Sequence, residues 1–273
     1  MSAEPGWAPE GIDSTKANIA RVYDYWLGGD NNFQADRDLA RASIALNPNS
    51  RAIARANRAF LGRAVRYLTG QGIRQFLDIG SGIPTNQNVH QVAQEAVPGS
   101  RVVYVDNDEI AAAHSRFILK DNPHAAVLQA DLREPGTILS DPATQMLLDF
   151  GQPVAVILSA VLHFIPDNDE ASAIVATLRS ALAPGSYLVI SHTCPDGQPE
   201  AVDNFQRVYN HRAGTRLRPR SQDEIERVCS GFTFLDPGLA WIPQWRPDSP
   251  DDVPADPESY WTLVGVGRYD ENP

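Results

Sequence analysis

Cysteine is nearly absent from this chain: Cys194 and Cys229 are the only two in 273 residues. Two thiols cannot build a disulfide framework, so a hydrophobic core must hold the fold, and the composition fits a reducing compartment. Positive charge is scarce as well. Lys and Arg number 23 against 34 acidic residues, a formal net charge of -11, which leaves no general attraction for phosphate backbones or anionic lipid and argues against nucleic acid as partner. No apolar run approaches the roughly 18 to 20 residues that a membrane helix requires. The opening MSAEPGWAPEGIDS has neither the basic start nor the apolar core of an export leader. A cytoplasmic protein without a membrane partner is expected. No His, Cys and carboxylate cluster has zinc spacing, so no metal site is expected either.

What the chain does have is length enough for a full core, as one large domain or a domain with an added lobe. Residues 1–14 are rich in Pro, Gly and acid without periodicity and are expected to form a flexible arm. Beyond them Ile19, Val22, Tyr23 and Trp26 recur at helical spacing until LGGDNN interrupts, and further helices are expected over Phe33 to Leu46 and Ser50 to Leu68. Residues 15–72 therefore form a helical N-terminal lobe or lid.

After Gly72 short apolar runs alternate with amphipathic stretches. RQFLDI (74–79), RVVYVD (101–106), AAVLQA (125–130), VAVILS (154–159) and SYLVIS (186–191) are nearly continuous in apolar character, as strands buried on both faces of a parallel sheet are. Helices are expected between them over Asn86 to Ala96, over Glu109 to Lys120 behind a capping Asp108, and over Glu170 to Leu182. A further helix opens at Ser221 with a Ser-x-x-Glu arrangement. FTFLDPG (232–238) and SYWTLVGVGRY (259–269) read as a closing antiparallel pair. The expected fold is α/β: a Rossmann-like, doubly wound, seven-stranded sheet with the helical lobe in front.

FLDIGSGIPT places Asp78, Gly80, Ser81 and Gly82 at the end of the first strand, where glycines let the backbone approach a ligand at the carboxyl edge of the sheet. The dinucleotide fingerprint needs a third glycine where Thr85 stands. NAD is thereby disfavoured, although a nucleoside enzyme of Rossmann type remains a competing class. Asp78 would repel a pyrophosphate but suits a cationic ligand, and S-adenosylmethionine carries an ammonium and a sulfonium without any phosphate. Asp106, ending the second strand, can accept hydrogen bonds from both ribose hydroxyls. Its distance in sequence from Gly80 exceeds the dinucleotide spacing, which the PTNQN segment explains. Asn107 can add a contact beside the adenine. Asp131, ending the third strand, can accept from the adenine amine, with the Leu132 backbone at the ring edge.

Ser159 and Ala160, ending the fourth strand, should lie beside the cofactor across the switch point. His163, shortly after, can act as a base or equally be a packed histidine.

These residues resemble class I S-adenosylmethionine-dependent methyltransferases. More narrowly, IDSTKANIARVYDYWLGGDNNFQADRDLA (12–40), FLDIGSGIPTNQNVHQVAQ (76–94), VVYVDND (102–108), ADLREP (130–135) and AVLHFIPD (160–167) are similar to a bacterial S-adenosyl methyltransferase family once filed as a domain of unknown function. The resemblance implies a class I methyltransferase domain over 73–273, S-adenosyl-L-methionine as cofactor, and an acceptor that it does not name, with a small molecule expected.

Within RVYDYWLGGDNNF, Gly28 and Gly29 permit a sharp turn, and Tyr23, Tyr25 and Asn31 are expected to line the methionine end or the acceptor pocket. Four arginines, Arg212, Arg216, Arg218 and Arg220, could grip an acceptor carboxylate or phosphate. His192 and Cys194 could touch the acceptor. If the acceptor must lose a proton, His163 or a tyrosine of the lobe is the candidate base. A non-catalytic S-adenosylmethionine-binding sensor or partner protein is the alternative.

Overall fold

The computed structural model describes residues 13–83, 87–213 and 215–270. The expected arm therefore lies almost wholly outside the described residues, as does most of the PTNQN segment. Five strands form a parallel array: β1 (Gln75–Ile79), β2 (Arg101–Asp106), β3 (Ala125–Gln129), β4 (Ala155–Ser159) and β5 (Tyr187–Thr193). Three more close the sheet: β6 (Thr233–Phe234), β7 (Ala240–Trp241) and β8 (Thr262–Arg268). The order is β3, β2, β1, β4, β5, β8, β6, with β7 also on β8, and β8 runs antiparallel to its neighbours.

The apolar runs are continuous because alternate residues enter two different cores. On one face Leu77, Val103, Val156 and Leu188 pack together; on the other, Phe76, Val102, Ala155 and Val189 do. The eight strands exceed the expected seven by β7, a two-residue element too short to leave a periodic trace. The expected last strand is also shorter at its start, because Pro257–Tyr260 forms a turn of 3-10 helix and Trp261 takes a left-handed φ of 50° before β8 begins.

Ahead of the sheet stand α1 (Ile19–Leu27), α2 (Gln34–Leu46) and α3 (Ser50–Gly70). Asn18 caps α1, its side chain accepting from the Ala20 amide at 2.7 Å. The turn after α1 is built around Asp24. Gly28 ends the helix at φ 88°, a Cβ on Gly29 would run into the Asp24 carboxylate, and that carboxylate accepts from the Asn31 amide at 2.9 Å and the Asn32 side chain at 2.8 Å. GGDNN is thus the internal scaffolding of a turn.

A buried ion cluster fastens this lobe to the sheet. Arg21 donates to Asp36 of α2 at 2.9 Å, to Asp108 at 3.1 Å and to the Lys16 carbonyl at 2.7 Å. Asp36 also accepts from the Asn18 amide at 2.8 Å and the Phe33 amide at 2.7 Å. Asp108 divides its oxygens: one takes Arg21, the other caps α5 (Glu109–Leu119), the helix that follows α4 (Val89–Ala96) and β2, through the Ala111 amide at 2.9 Å. All three side chains are under 10 % exposed, so losing the cation strands two buried carboxylates. Arg21→Met should lower the unfolding free energy by about 3–5 kcal/mol. Lys16→Ala, which removes only the exposed Lys16–Asp13 pair, should leave it essentially unchanged. Urea titration of both variants checks the contrast.

Candidate functional site

The sheet reverses its winding between β1 and β4, and the crevice outside their carboxyl ends is where an open α/β sheet binds ligands. A cavity of about 180 Å³ occupies that crevice, roofed by α1 and α3. Eleven residues singled out in the sequence line it: Tyr23, Asp78, Gly80, Ser81, Gly82, Asp106, Asn107, Asp131, Leu132, Ser159 and Ala160. A second cavity, of about 100 Å³, adjoins the first and shares with it Ile19, Tyr23, Asn57, Ala160 and Phe164. His163 belongs to the second cavity only.

The glycine turn is tightly held. Gly80 and Ser81 donate their amides to the Val105 carbonyl at 2.8 and 3.1 Å, and Gly82 donates to the Asp106 carboxylate at 2.7 Å. The other Asp106 oxygen accepts from the Asp108 amide at 2.9 Å. Asp106 therefore shapes the loop while still facing the cavity. Burial nevertheless pushes its carboxyl up to about 6, the amides pulling the other way.

Asp78 is stranger. It is 3 % exposed, and among the described residues no group donates a hydrogen bond to it. Burial drives its carboxyl up to about 7, with the Arg58 cation drawing it back and Asp106 adding to the rise. Arg58 lines the same cavity and makes no ion pair or hydrogen bond among the described residues, its guanidinium resting 5.7 Å from the centroid of the Tyr23 ring. A cation and an anion thus line one cavity, neither with an ion-pair or hydrogen-bond partner among the described residues. Asn57, one turn before Phe60 on α3, donates to the Tyr23 hydroxyl at 3.1 Å and to Ser159 at 3.0 Å, while its own Oδ1 is buried without a partner.

The sequence profile of the S-adenosyl methyltransferase family matches residues 5–270. The chain belongs to the S-adenosyl methyltransferase family. S-adenosylmethionine is the cofactor of that family. A crystal structure of a Thermobifida fusca YX protein, provisionally assigned as a methyltransferase, is 41 % identical with a TM-score of 0.92, covering 97 % of this chain and 100 % of that one. A DUF574 family protein from Streptomyces avermitilis MA-4680 is 37 % identical with a TM-score of 0.89, covering 94 % and 99 %. The N-methyltransferase NodS of Bradyrhizobium japonicum WM9, solved with S-adenosyl-L-homocysteine, shares the fold at 14 % identity and a TM-score of 0.51, over 92 % of this chain and 100 % of that one. The curated proteins searched contain no match.

The residues of this family member fit the cofactor's chemistry. A buried acid and an arginine, neither with a hydrogen-bond or ion-pair partner among the described residues, line one cavity and complement an amino acid zwitterion, and Asp106 at the end of β2 lines it too.

Other sequence expectations need correction. Asn31 lines neither cavity, and its backbone amide donates to Asp24 at 2.9 Å within the turn. Tyr25 lies outside as well, sandwiched between Arg41 and Arg51 at 5.9 and 5.2 Å. Arg220 is wholly buried and structural: it donates to the carbonyls of Leu162, Ile165 and Asp167 and to Asn168 Oδ1, clamping the loop after β4. Arg218 pairs with Glu224 at 2.8 Å. His192 and Cys194 line neither cavity, and burial pushes the Cys194 thiol up to about 12. Among the described residues no cluster could hold a metal ion.

Arg58 and Asn57 escaped the sequence reading, although a signal exists. The buried stripe of α3 runs Ala54, Asn57, Phe60, Leu61, Ala64, Val65, Leu68, and an asparagine within it breaks the apolar pattern.

A Cβ on Gly80 would collide with Val161, and its φ of 74° is left-handed, whereas a Cβ on Gly82 meets open space at φ 67°. Gly80→Ala should therefore lower stability by about 3 kcal/mol, strain and overpacking together, and Gly82→Ala by about 1 kcal/mol. Denaturant titration reads the difference.

Proposed function

We propose that this protein is a methyltransferase that transfers a methyl group from S-adenosylmethionine to a small-molecule acceptor, with the helices over 15–72 serving as lid to a catalytic domain spanning 73–273. The observation that carries the reading is Asp78, a buried carboxylate with no hydrogen-bond donor among the described residues, lining the same cavity as Arg58. Asp78 takes the ligand's ammonium and Arg58 its carboxylate by forked hydrogen bonds. Asp106 accepts from the ribose hydroxyls with lone pairs left free by the Gly82 and Asp108 amides. Asn107, Asp131 and Leu132 face the adenine, and Ser159 and Ala160 flank the reacting end.

When bound, S-adenosylmethionine supplies an electrophilic methyl on a sulfonium. The chain's contribution is alignment and exclusion of water; well-oriented intramolecular reactions gain on the order of 7–11 kcal/mol in this way. The second cavity, meeting the first at Ala160, supplies the space an acceptor requires. Ala160 itself takes φ 54°, a strained conformation of a kind that clusters at functional sites.

His163 does not suit the role of base. Burial, reinforced by the Arg220 charge, pushes its imidazole down to about 3, which makes it a poor base for an acceptor's proton. Burial raises the Tyr23 phenol, and its hydroxyl already donates to the Ala54 carbonyl at 3.0 Å. His163 is placed better as a neutral polar wall. The net charge of -11, the two free buried cysteines and the lack of any described helix able to cross a membrane support a cytoplasmic setting and a partner other than nucleic acid.

The test is calorimetry with S-adenosylmethionine from about pH 6 to about pH 8. In the free protein Asp78 binds a proton that the unfolded chain has lost, so stability falls as pH rises between the ordinary carboxylate range and about 7. A bound ammonium favours the ionised form, so binding should tighten as pH rises to about 8 and should release a proton near pH 7. Asp78→Asn should raise the melting temperature of the free protein at pH 8 and weaken binding at least tenfold. Asp106→Ala should lose binding with the fold intact. Cofactor affinity untouched by both substitutions would sink the proposal.

A further inference from the structure

The second cavity carries an inference that rests on the proposed methyl transfer and deepens it. Its wall is made of rings: Trp26, Phe164, Phe205, Tyr209, Tyr260 and Trp261. Phe205 stacks on Tyr209 at 5.9 Å and meets Trp261 edge-on at 5.8 Å. Such side chains have few rotatable bonds, so the slot keeps its shape instead of moulding itself to flexible chains as methionines would. No Asp, Glu, Lys or Arg lines this cavity among the described residues, whereas the adjoining one holds three aspartates and two arginines. A carboxylate, phosphate or ammonium entering the second cavity would shed its water without a counter-charge.

Among the uncharged polar side chains in this wall, two bear on the acceptor. Tyr209 is 4 % exposed, and its phenol oxygen has no hydrogen-bond partner among the described residues. Asn57, 5 % exposed and common to both cavities, has a buried Oδ1 with no hydrogen-bond partner among the described residues. An orphaned amide oxygen at the junction asks for a donor on the acceptor, close to the atom that is to be methylated. No carboxylate lines this cavity among the described residues to remove a proton first, and burial keeps its one imidazole neutral. The nucleophile must therefore carry a reactive lone pair in its uncharged form.

We propose that the acceptor is an uncharged aromatic amine, its ring held against the aromatic wall to which Phe205 and Trp261 contribute and one N–H donated to Asn57 Oδ1. That hydrogen bond turns the nitrogen lone pair toward the first cavity. Attack forms the N–C bond as the C–S bond breaks; the electron pair stays on sulfur, leaving a neutral thioether. The ammonium so formed then gives its proton to water.

Protein loaded with S-adenosylhomocysteine is titrated with aminonaphthalene, naphthol, naphthoate and cyclohexylamine near neutral pH, following tryptophan fluorescence from the cavity wall. Turnover of each compound with S-adenosylmethionine is measured separately. Aminonaphthalene and naphthol should bind with comparable affinity, and naphthoate and cyclohexylamine at least tenfold more weakly. Only the amine should be methylated, at least a hundredfold faster than the naphthol. Phe205→Ala should weaken amine binding about tenfold and leave cofactor affinity unchanged. Tighter binding of either charged compound, equal methylation of naphthol, or amine binding indifferent to Phe205→Ala would each overturn the acceptor class. Calorimetry with the cofactor alone separates the two levels: no cofactor binding defeats the underlying transfer reading, whereas normal cofactor binding with any of those three results defeats the acceptor class alone.

Discussion

Arg21 holds the molecule's two halves in register. Its guanidinium lies between Asp36, which organises the start of α2 and the entry to α1, and Asp108, which begins α5 directly after β2. The same charge set thus fixes where the helical lobe lands and where the second strand's loop starts. The consequence is a roof. Tyr23, Asn57 and Arg58 are brought over the carboxyl edge of the sheet, and two adjoining cavities form where an open α/β sheet would otherwise face solvent. Buried pairs of this kind are weak sources of net stability; their value here is positional.

Beneath that roof the protein keeps a carboxylate in a costly place. Raising the Asp78 carboxyl from its ordinary value to about 7 corresponds to roughly 4 kcal/mol of disfavour for the charged form, and no described hydrogen bond offsets it. The expense falls where ligand charge would relieve it, which is how functional sites differ from cores. The two cavities divide the chemistry cleanly. One is lined by three aspartates and two arginines; the other is aromatic, with no charged residue among those described. They meet at Ala160, which holds a left-handed backbone conformation without being glycine.

The parallel strands were legible in the sequence because burial on both faces makes apolar runs continuous. RQFLDI, RVVYVD and VAVILS lie within a residue or so of β1, β2 and β4. Capping was legible for the same local reason: Asp108 and Ser221 accept from the Ala111 and Glu224 amides. Long-range commitments were not. Nothing near Asn31 reveals that Asp24 consumes its amide, and nothing in RLRPR reveals that Arg220 is buried against the loop after β4. Arg58 sits 20 residues ahead of Asp78 in sequence, and only the folding of α3 across the sheet edge makes them neighbours. The polar residues that proximity in sequence could place, at strand ends, surround the first cavity. Those placed by packing, Asn57 and Arg58, required the structure.

The most direct measurement is a crystal structure of the protein with S-adenosylhomocysteine. The account predicts the amino acid carboxylate on the Arg58 guanidinium, the amino group within hydrogen-bond distance of Asp78, and the ribose hydroxyls on Asp106. A ligand whose amino acid end leaves Asp78 and Arg58 untouched, or one bound outside the crevice between β1 and β4, would contradict it.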